Sequence, residues 1–452
     1  VILITTKRAK LNQFVFDYNY EYAIDRPTTQ PKNGDVIDWM NVQNEVKWND
    51  GASDPYSQYS QETIGSWLEN NAADPYHYPN TDWVDLILKE STSHEQHTLS
   101  VSGGTEKLRT KSTFNYQKGD GYYKNRSYER FAGRVNNDYK ITEWLSANLD
   151  LDLSKSTSIA PSQINAIYWA YLVAPYYTPR WEDGRYADVK DGANPLAGLE
   201  QGGTNNIDYY KLGAKAQFDV TPLDGLTLTA IFAPRYSFTK GKRFSRAVPV
   251  YYENGSTTNM QVHKVTNLEE TRNDNNSMTT QFYGNYQKKL GDHSLNAMAG
   301  YEAYSYEWEN QGASRTNYLL DTYPYLNIGP EDYQYNSGSA GHNAYESVFG
   351  RLMYSYKSKY MLQGNIRSDG SSRFSEDYRW GTFYSASGGW VISEESWFRN
   401  NVVDYLKLRG SVGQLGNERI GSEFPYQAAI NFGNSYMYDK GTQSVTALQN
   451  AA

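Results

Sequence analysis

The sequence predicts an all-β protein, a large antiparallel transmembrane β-barrel, and three observations carry that prediction. Period-2 alternation of apolar and polar residues recurs in segments of about ten residues or more, the length a tilted membrane strand needs. The connections between those segments alternate between tight and long, and an outer-membrane barrel has short turns at one end and long loops at the other. The composition is ordered but wet. Hydrophobic residues are 38% of the 452 on a count that includes 42 Tyr; exchanging those Tyr for the 36 Gly leaves a chain below the roughly 45–50% of a soluble core-forming protein. Aromatics at 15% argue equally against disorder.

The alternation places the elements in order. Phe14, Phe16, Tyr18, Tyr20 and Tyr22 share one face against Val15, Asp17, Asn19 and Glu21, which predicts a strand over 11–24. Strands follow near 96–103, 108–118 and 128–140. Leu145, Ala147, Leu149, Leu151 and Leu153 oppose Ser146, Asn148, Asp150, Asp152 and Ser154 in a strand over 145–156. In the next, 209–220, Leu212, Ala214, Ala216, Phe218 and Val220 oppose Gly213, Lys215, Gln217 and Asp219. The remainder are expected near 225–238, 277–289, 293–305, 345–357, 359–368, 380–391 and 404–414. Helical periodicity is nearly absent. Tight connections carry turn chemistry, as in Gly103-Gly104, Asp224-Gly225 and Gly291-Asp292. Long loops are expected near 25–95, 157–208, 239–276 and 306–344.

Charge and cysteine bound the chemistry. With 43 Lys+Arg against 51 Asp+Glu the net charge is −8, so no global basic field serves nucleic acid. Zero Cys excludes a disulfide framework and a thiol nucleophile. No apolar run approaches the 18 or so residues of a membrane helix, which leaves a strand-built membrane protein open.

Four stretches then resemble a family. Val1-Ile2-Leu3-Ile4-Thr5-Thr6-Lys7 resembles the end of the plug domain in TonB-dependent outer-membrane transporters of the SusC/RagA-like branch. Leu99 to Glu106 (LSVSGGTE), Ile366 to Phe374 (IRSDGSSRF) followed by Arg379-Trp380-Gly381, and Leu406 to Gly413 (LKLRGSVG) with Gly416-Asn417 resemble the same branch, in the family's order. The resemblance implies a plugged barrel of roughly 22 strands, of which this chain supplies about thirteen. Residues 1–10 are then the C-terminal end of the plug and 11–452 an incomplete barrel, with the TonB box, most of the plug and the last strands outside the chain. The resemblance implies active import across the bacterial outer membrane, energised by the TonB complex, with oligosaccharide cargo and a SusD-like surface lipoprotein as lid; a dimer of such pairs is also compatible. Peptide import by the same family is the alternative, and a soluble secreted carbohydrate-binding β protein a third reading. No cofactor and no catalysis are implied.

Candidate substrate-binding residues come from the loops and from the strongest motif. Loop residues Tyr176, Tyr177, Trp181 and Trp308 supply rings that either pack loop on loop or stack on a sugar. Asp369 and Arg373, in Asp-Gly-Ser-Ser-Arg-Phe, either close a tight loop or contact substrate. His94 and His97, three apart on a strand, are expected on opposite faces, which is wrong for a shared metal. Asp150 and Asp152 share a face because of polar alternation, so no glycosidase pair needs to be invoked.

Overall fold

The structure is a computed structural model and describes residues 7–29, 32–162, 166–189, 193–260, 264–398, 402–421 and 423–427, together with short strands between 430 and 450. Val1 to Thr6, the start of the expected plug segment, lie outside the described residues. All thirteen expected strands form: β1 (Val15–Asp25), β2 (Thr92–Gly104), β3 (Leu108–Asp120), β4 (Ser127–Lys140), β5 (Leu145–Pro161), β6 (Gly203–Leu223), β7 (Leu226–Ser245), β10 (Asn267–Leu290), β11 (His293–Thr316), β12 (Gln334–Tyr356), β13 (Tyr360–Ser371), β14 (Trp380–Val391) and β15 (Lys407–Gly413). β8 (Pro249–Tyr251) and β9 (Thr257–Asn259) make a separate hairpin in a loop. The thirteen pair only with their sequence neighbours in one antiparallel sheet, open between β1 and β15. No described helix is long and apolar enough to cross a membrane, which says nothing about crossing by strands.

Alternation survives folding as two unlike faces. Leu149, Leu151, Leu153, Leu212 and Phe218 stand exposed on one face of β5 and β6. On the other, Asn136 of β4, Asp150 of β5 and Lys215 of β6 are direct cross-strand partners in one row. Such a row couples strands through side chains as the ladder couples them through backbone. Gly225 in the β6–β7 turn has φ +81° and packs against the Gln287 carbonyl, so only glycine fits the left-handed, crowded position.

Three expectations need correction. The strands β10, β11 and β12 run well past the alternating segments, so the loop expected over 239–276 is 246–266 and that over 306–344 is 317–333. The reason is that residues 269–276 are polar on both faces; the ladder continues where hydropathy no longer alternates. The connection 392–406 breaks the short-turn rule at its end of the sheet. Helices are also present in the long loops: α1 (Val36–Asn49), α2 (Gln61–Ala73), α3 (Trp83–Ile87), α4 (Ala166–Leu172) and α5 (Pro195–Gln201). The starts of α1, α2, α3 and α5 are set by caps, with Asp35 accepting from the amides of Ile37 and Asp38, Ser60 from Thr63, Asp82 from Val84 and Asp85, and Asn194 from Ala197.

The buried apolar core lies in those loops. Trp83, Val84, Ile87, Ala170, Val173 and Leu199 join residues of loop 26–91 to loop 162–202. Ala197, Val248, Val250 and Met260 join loop 162–202 to loop 246–266. Three loops thus fold into one cap over the long-loop end of the sheet.

Candidate functional site

In the cap the expected rings are used as packing. Tyr176 sits 4.2 Å from Tyr177 and 4.6 Å from Trp39, centroid to centroid. Burial, with a lesser contribution from Tyr177, raises the Tyr176 phenol above its ordinary pKa. Trp181 donates its indole N–H to the Tyr251 carbonyl at 2.7 Å, tying loop 162–202 to the β8 strand. Beside it Arg180, Lys124 and Tyr186 converge on Glu200. Burial alone would raise the Glu200 carboxyl, but the bonds from Lys124 and Tyr186 and the charge of Arg180 hold it below its ordinary value. These contacts leave the Trp181 and Tyr176 rings working as mortar between loops.

Trp308 is placed differently from what the sequence suggested. It lies on β11, within the sheet, on the same face as Glu302, and its indole N–H reaches a Glu423 carboxylate oxygen at 3.0 Å. Gly341 opposite it has no room for a Cβ, which would stand 2.7 Å from the indole.

The Asp-Gly-Ser-Ser-Arg-Phe motif ends β13 and closes a tight loop onto β12. The Ser372 amide donates to the Ala344 carbonyl at 2.9 Å, the Ala344 amide to the Ser372 hydroxyl at 3.0 Å, and the Arg373 amide to the Ser371 hydroxyl at 3.3 Å. Asp369 accepts from the Arg367 Nε at 2.6 Å, while Arg367 Nη2 donates to Glu302 at 2.9 Å and to the fully buried Ser347 hydroxyl at 2.7 Å. A guanidinium shared between two carboxylates and a hydroxyl has its fork fixed in place. Arg367 is the centre of this cluster; its cross-strand partners Glu302 and Ser347 are sequence-distant and carry no local signal. Next to it is a cavity of about 520 Å³ lined by Tyr345, Arg367, Asp369, Phe374, Phe383 and Glu418 among others.

Arg8, from the segment preceding β1, reaches the polar face of the sheet. Its guanidinium binds both Asp150 oxygens, at 2.6 and 2.8 Å, and stands 3.1 Å from Asp138. Asn136 donates to Asp150 at 2.8 Å. Asp152 faces the same way, with Lys211 at 3.0 Å. These carboxylates are engaged by cations, which is the opposite of the poised acid-base pair a hydrolase needs. His94 binds Asp25 at 2.7 Å and His97 meets the Tyr18 hydroxyl at 2.8 Å on the other face. Among the described residues no group of three or more His, Asp or Glu is arranged to hold a metal.

No family model matches the chain. It is 28% identical over 362 residues to TonB-dependent receptor P26 of Formosa agariphila, covering 77% of this chain and 35% of that protein. It is 26% identical over 473 aligned positions to TonB-dependent receptor SusC of Bacteroides thetaiotaomicron, covering 96% of this chain and 43% of that one. Among solved structures the RagAB peptide transporter aligns over 99% of this chain and 51% of its own, with TM-score 0.76 and 21% identity. The open-open state of the RagAB peptide importer gives TM-score 0.79 at 20% identity. The chain therefore spans less than half the length of these curated relatives and 51% of the solved chain. The resemblance carried by the four sequence stretches is borne out: in sequence the chain is similar to TonB-dependent receptors, SusC among them, and in fold it is similar to RagAB.

Proposed function

We propose that this chain contributes the first part of the barrel of an outer-membrane importer, energised by the TonB complex, that takes up oligosaccharides beneath a SusD-like surface lipoprotein. The observation that carries the proposal is the division of the sheet into an exposed apolar face and an ionic face on which the segment before β1 docks through Arg8. An apolar exterior suits lipid and a polar, occupied interior suits a plugged barrel. On this reading residues 1–10 end the plug, the cap lies outside the cell, and the protein moves cargo without chemical change. The oligosaccharide assignment rests on rings and paired charges on the polar face; RagAB is a peptide importer, and peptide import by the same architecture is the alternative it favours.

The test is to isolate the full-length protein from its native membrane in mild detergent and to measure cargo uptake with and without the TonB complex. Co-purification of a lipoprotein, and uptake of glycans lost on TonB depletion, are expected. A barrel recovered alone, with TonB-independent uptake, would overturn the reading. A dimer of barrel and lipoprotein pairs would appear as twice the mass of one pair.

A further inference from the structure

The polar face of β11 carries rings at every second residue. Tyr304, Tyr306 and Trp308 follow one another at i, i+2 and i+4, so neighbouring rings start about 7 Å apart along the strand. Their polar atoms are tied down: the Tyr306 hydroxyl donates to Asn275 at 2.8 Å and the Trp308 indole N–H to Glu423 at 3.0 Å. Tyr345 of β12 stacks on Tyr304 with centroids 5.1 Å apart and planes at 24°. Tyr345 also lines the cavity of about 520 Å³, in which Phe383 and the Arg367–Asp369 pair form other walls. The row of rings therefore runs from the long-loop half of the strand to a cavity without a break.

We infer that this strip and cavity are the cargo subsite of the wall, and that the cargo it takes is a neutral oligosaccharide. The inference rests on the import reading above and assigns the residues that would contact cargo. Sugar rings present flat C–H faces that lie against aromatic rings, and vicinal hydroxyls that match a guanidinium fork and a carboxylate. Charge in the cavity is balanced, Arg367 and Arg379 standing with Asp369 and Glu418, so a strongly ionic cargo would leave one sign uncompensated. The volume fits the usual range of a small-molecule site, roughly 300–1,000 Å³. Rings fixed at their edges lose little freedom on binding, which favours affinity. In the cap, by contrast, Tyr176 and Trp181 are engaged in contacts between loops.

The experiment uses the full-length transporter with its partner in the native membrane. A photo-reactive benzoylphenylalanine replaces Tyr345, Phe383, Trp181 of the cap or, as the outward control, Val348. Cells are fed a polysaccharide hydrolysate together with a tryptic casein digest, irradiated, and the captured mass is read. Sugar adducts at positions 345 and 383, about tenfold above the Val348 control, are expected, and Phe383→Leu, which keeps bulk and removes the ring, should weaken capture at 345 by about the same factor. Sugar adducts at 181 and none at 345 or 383 overturn the subsite while leaving sugar import standing. Peptide adducts at 345 and 383 overturn the oligosaccharide class instead. Loss of adducts at every position, with normal protein level, also overturns the subsite.

Discussion

The cap and the wall use aromatic residues in opposite ways. In the cap, Trp83 is fully buried, donates its indole N–H to the Ala174 carbonyl at 3.1 Å, and packs with Ile87 and Leu199. On the wall, Tyr304 and Tyr345 are half-buried and stack on each other on a face that also carries Glu302 and Arg367. Among the described residues the clustered apolar core belongs to the cap, while the strands of the sheet are held by ladder bonds and cross-strand rows. Ring density alone therefore does not mark a binding surface; the element that carries the ring decides whether it is spent on packing or left facing a cavity.

The largest effect that would sharpen this contrast is Trp83→Ala. Truncating a buried Trp costs about 3–5 kcal/mol, a large share of what holds a small core together. The cap should open while the sheet persists, seen as rapid amide exchange and protease cutting within 26–91 and 162–202 against unchanged protection in β4 to β7. Loss of protection in both regions together would mean that cap and wall fold as one unit.

The next effects separate the two faces of the wall. Leu149→Arg places a charge on the exposed apolar face and should cost on the order of 2–4 kcal/mol near the bilayer midplane. Asp150→Asn acts on the opposite, polar face, where Asp150 accepts both Arg8 bonds and one from Asn136. A loss of about 1–2 kcal/mol is expected after discounting for partial exposure, together with faster exchange of the segment around Arg8. Unfolding of the refolded full-length barrel in lipid measures both; a larger penalty for Asp150→Asn than for Leu149→Arg would reverse the assignment of the faces.

Much of this architecture was legible in the sequence, and the parts that were not have physical reasons. The strands were readable because apolar and polar residues alternate at 145–154 and 212–220. The extensions of β10 to β12 were not, since residues 269–276, on the strand beside Trp308, are polar on both sides; this is why Trp308 read as a loop residue. The helices were hidden by weak amphipathicity, but their capping residues stood in plain view: Asp35, Ser60, Asp82, and Asn194 before Pro195 at the first helical position. The Asp369 cluster was found as a motif, whereas its anchors Glu302 and Ser347 lie on other strands and only the register brings them to Arg367. Likewise Tyr176, Tyr177 and Trp181 were rightly seen as a ring-rich loop, yet their partners Trp39 and Tyr251 belong to other loops.

The smallest effect is a pH dependence that belongs to the cap and not to the wall. His77 follows the C-cap of α2 and bridges two loops: its Nδ1 stands 2.6 Å from Asp74 and its Nε2 2.7 Å from Glu253, in the β8–β9 turn. A neutral imidazole donates from one nitrogen only, so satisfying both carboxylates requires the imidazolium. The bonds to Glu253 and then to Asp74 raise the His77 pKa above its ordinary 6.5. In loop 162–202, Arg185 and Asp183 pair with each other at 2.5 Å. Because the folded pKa is raised, the stabilisation is fully present below the ordinary value and is lost as pH rises through the folded one. The site is exposed and screened by salt, so the loss is small and local. Amide exchange followed between about pH 5 and pH 9, corrected for its intrinsic pH dependence, should show the 249–259 hairpin loosening at the alkaline end in the native protein. In His77→Gln it should be loose throughout, with no change in β4 to β7 in either. A hairpin whose corrected exchange is the same at both ends of that range would show that His77 does not clamp the loops, and an equal response in the strands would show that cap and wall are not the separable regions described above.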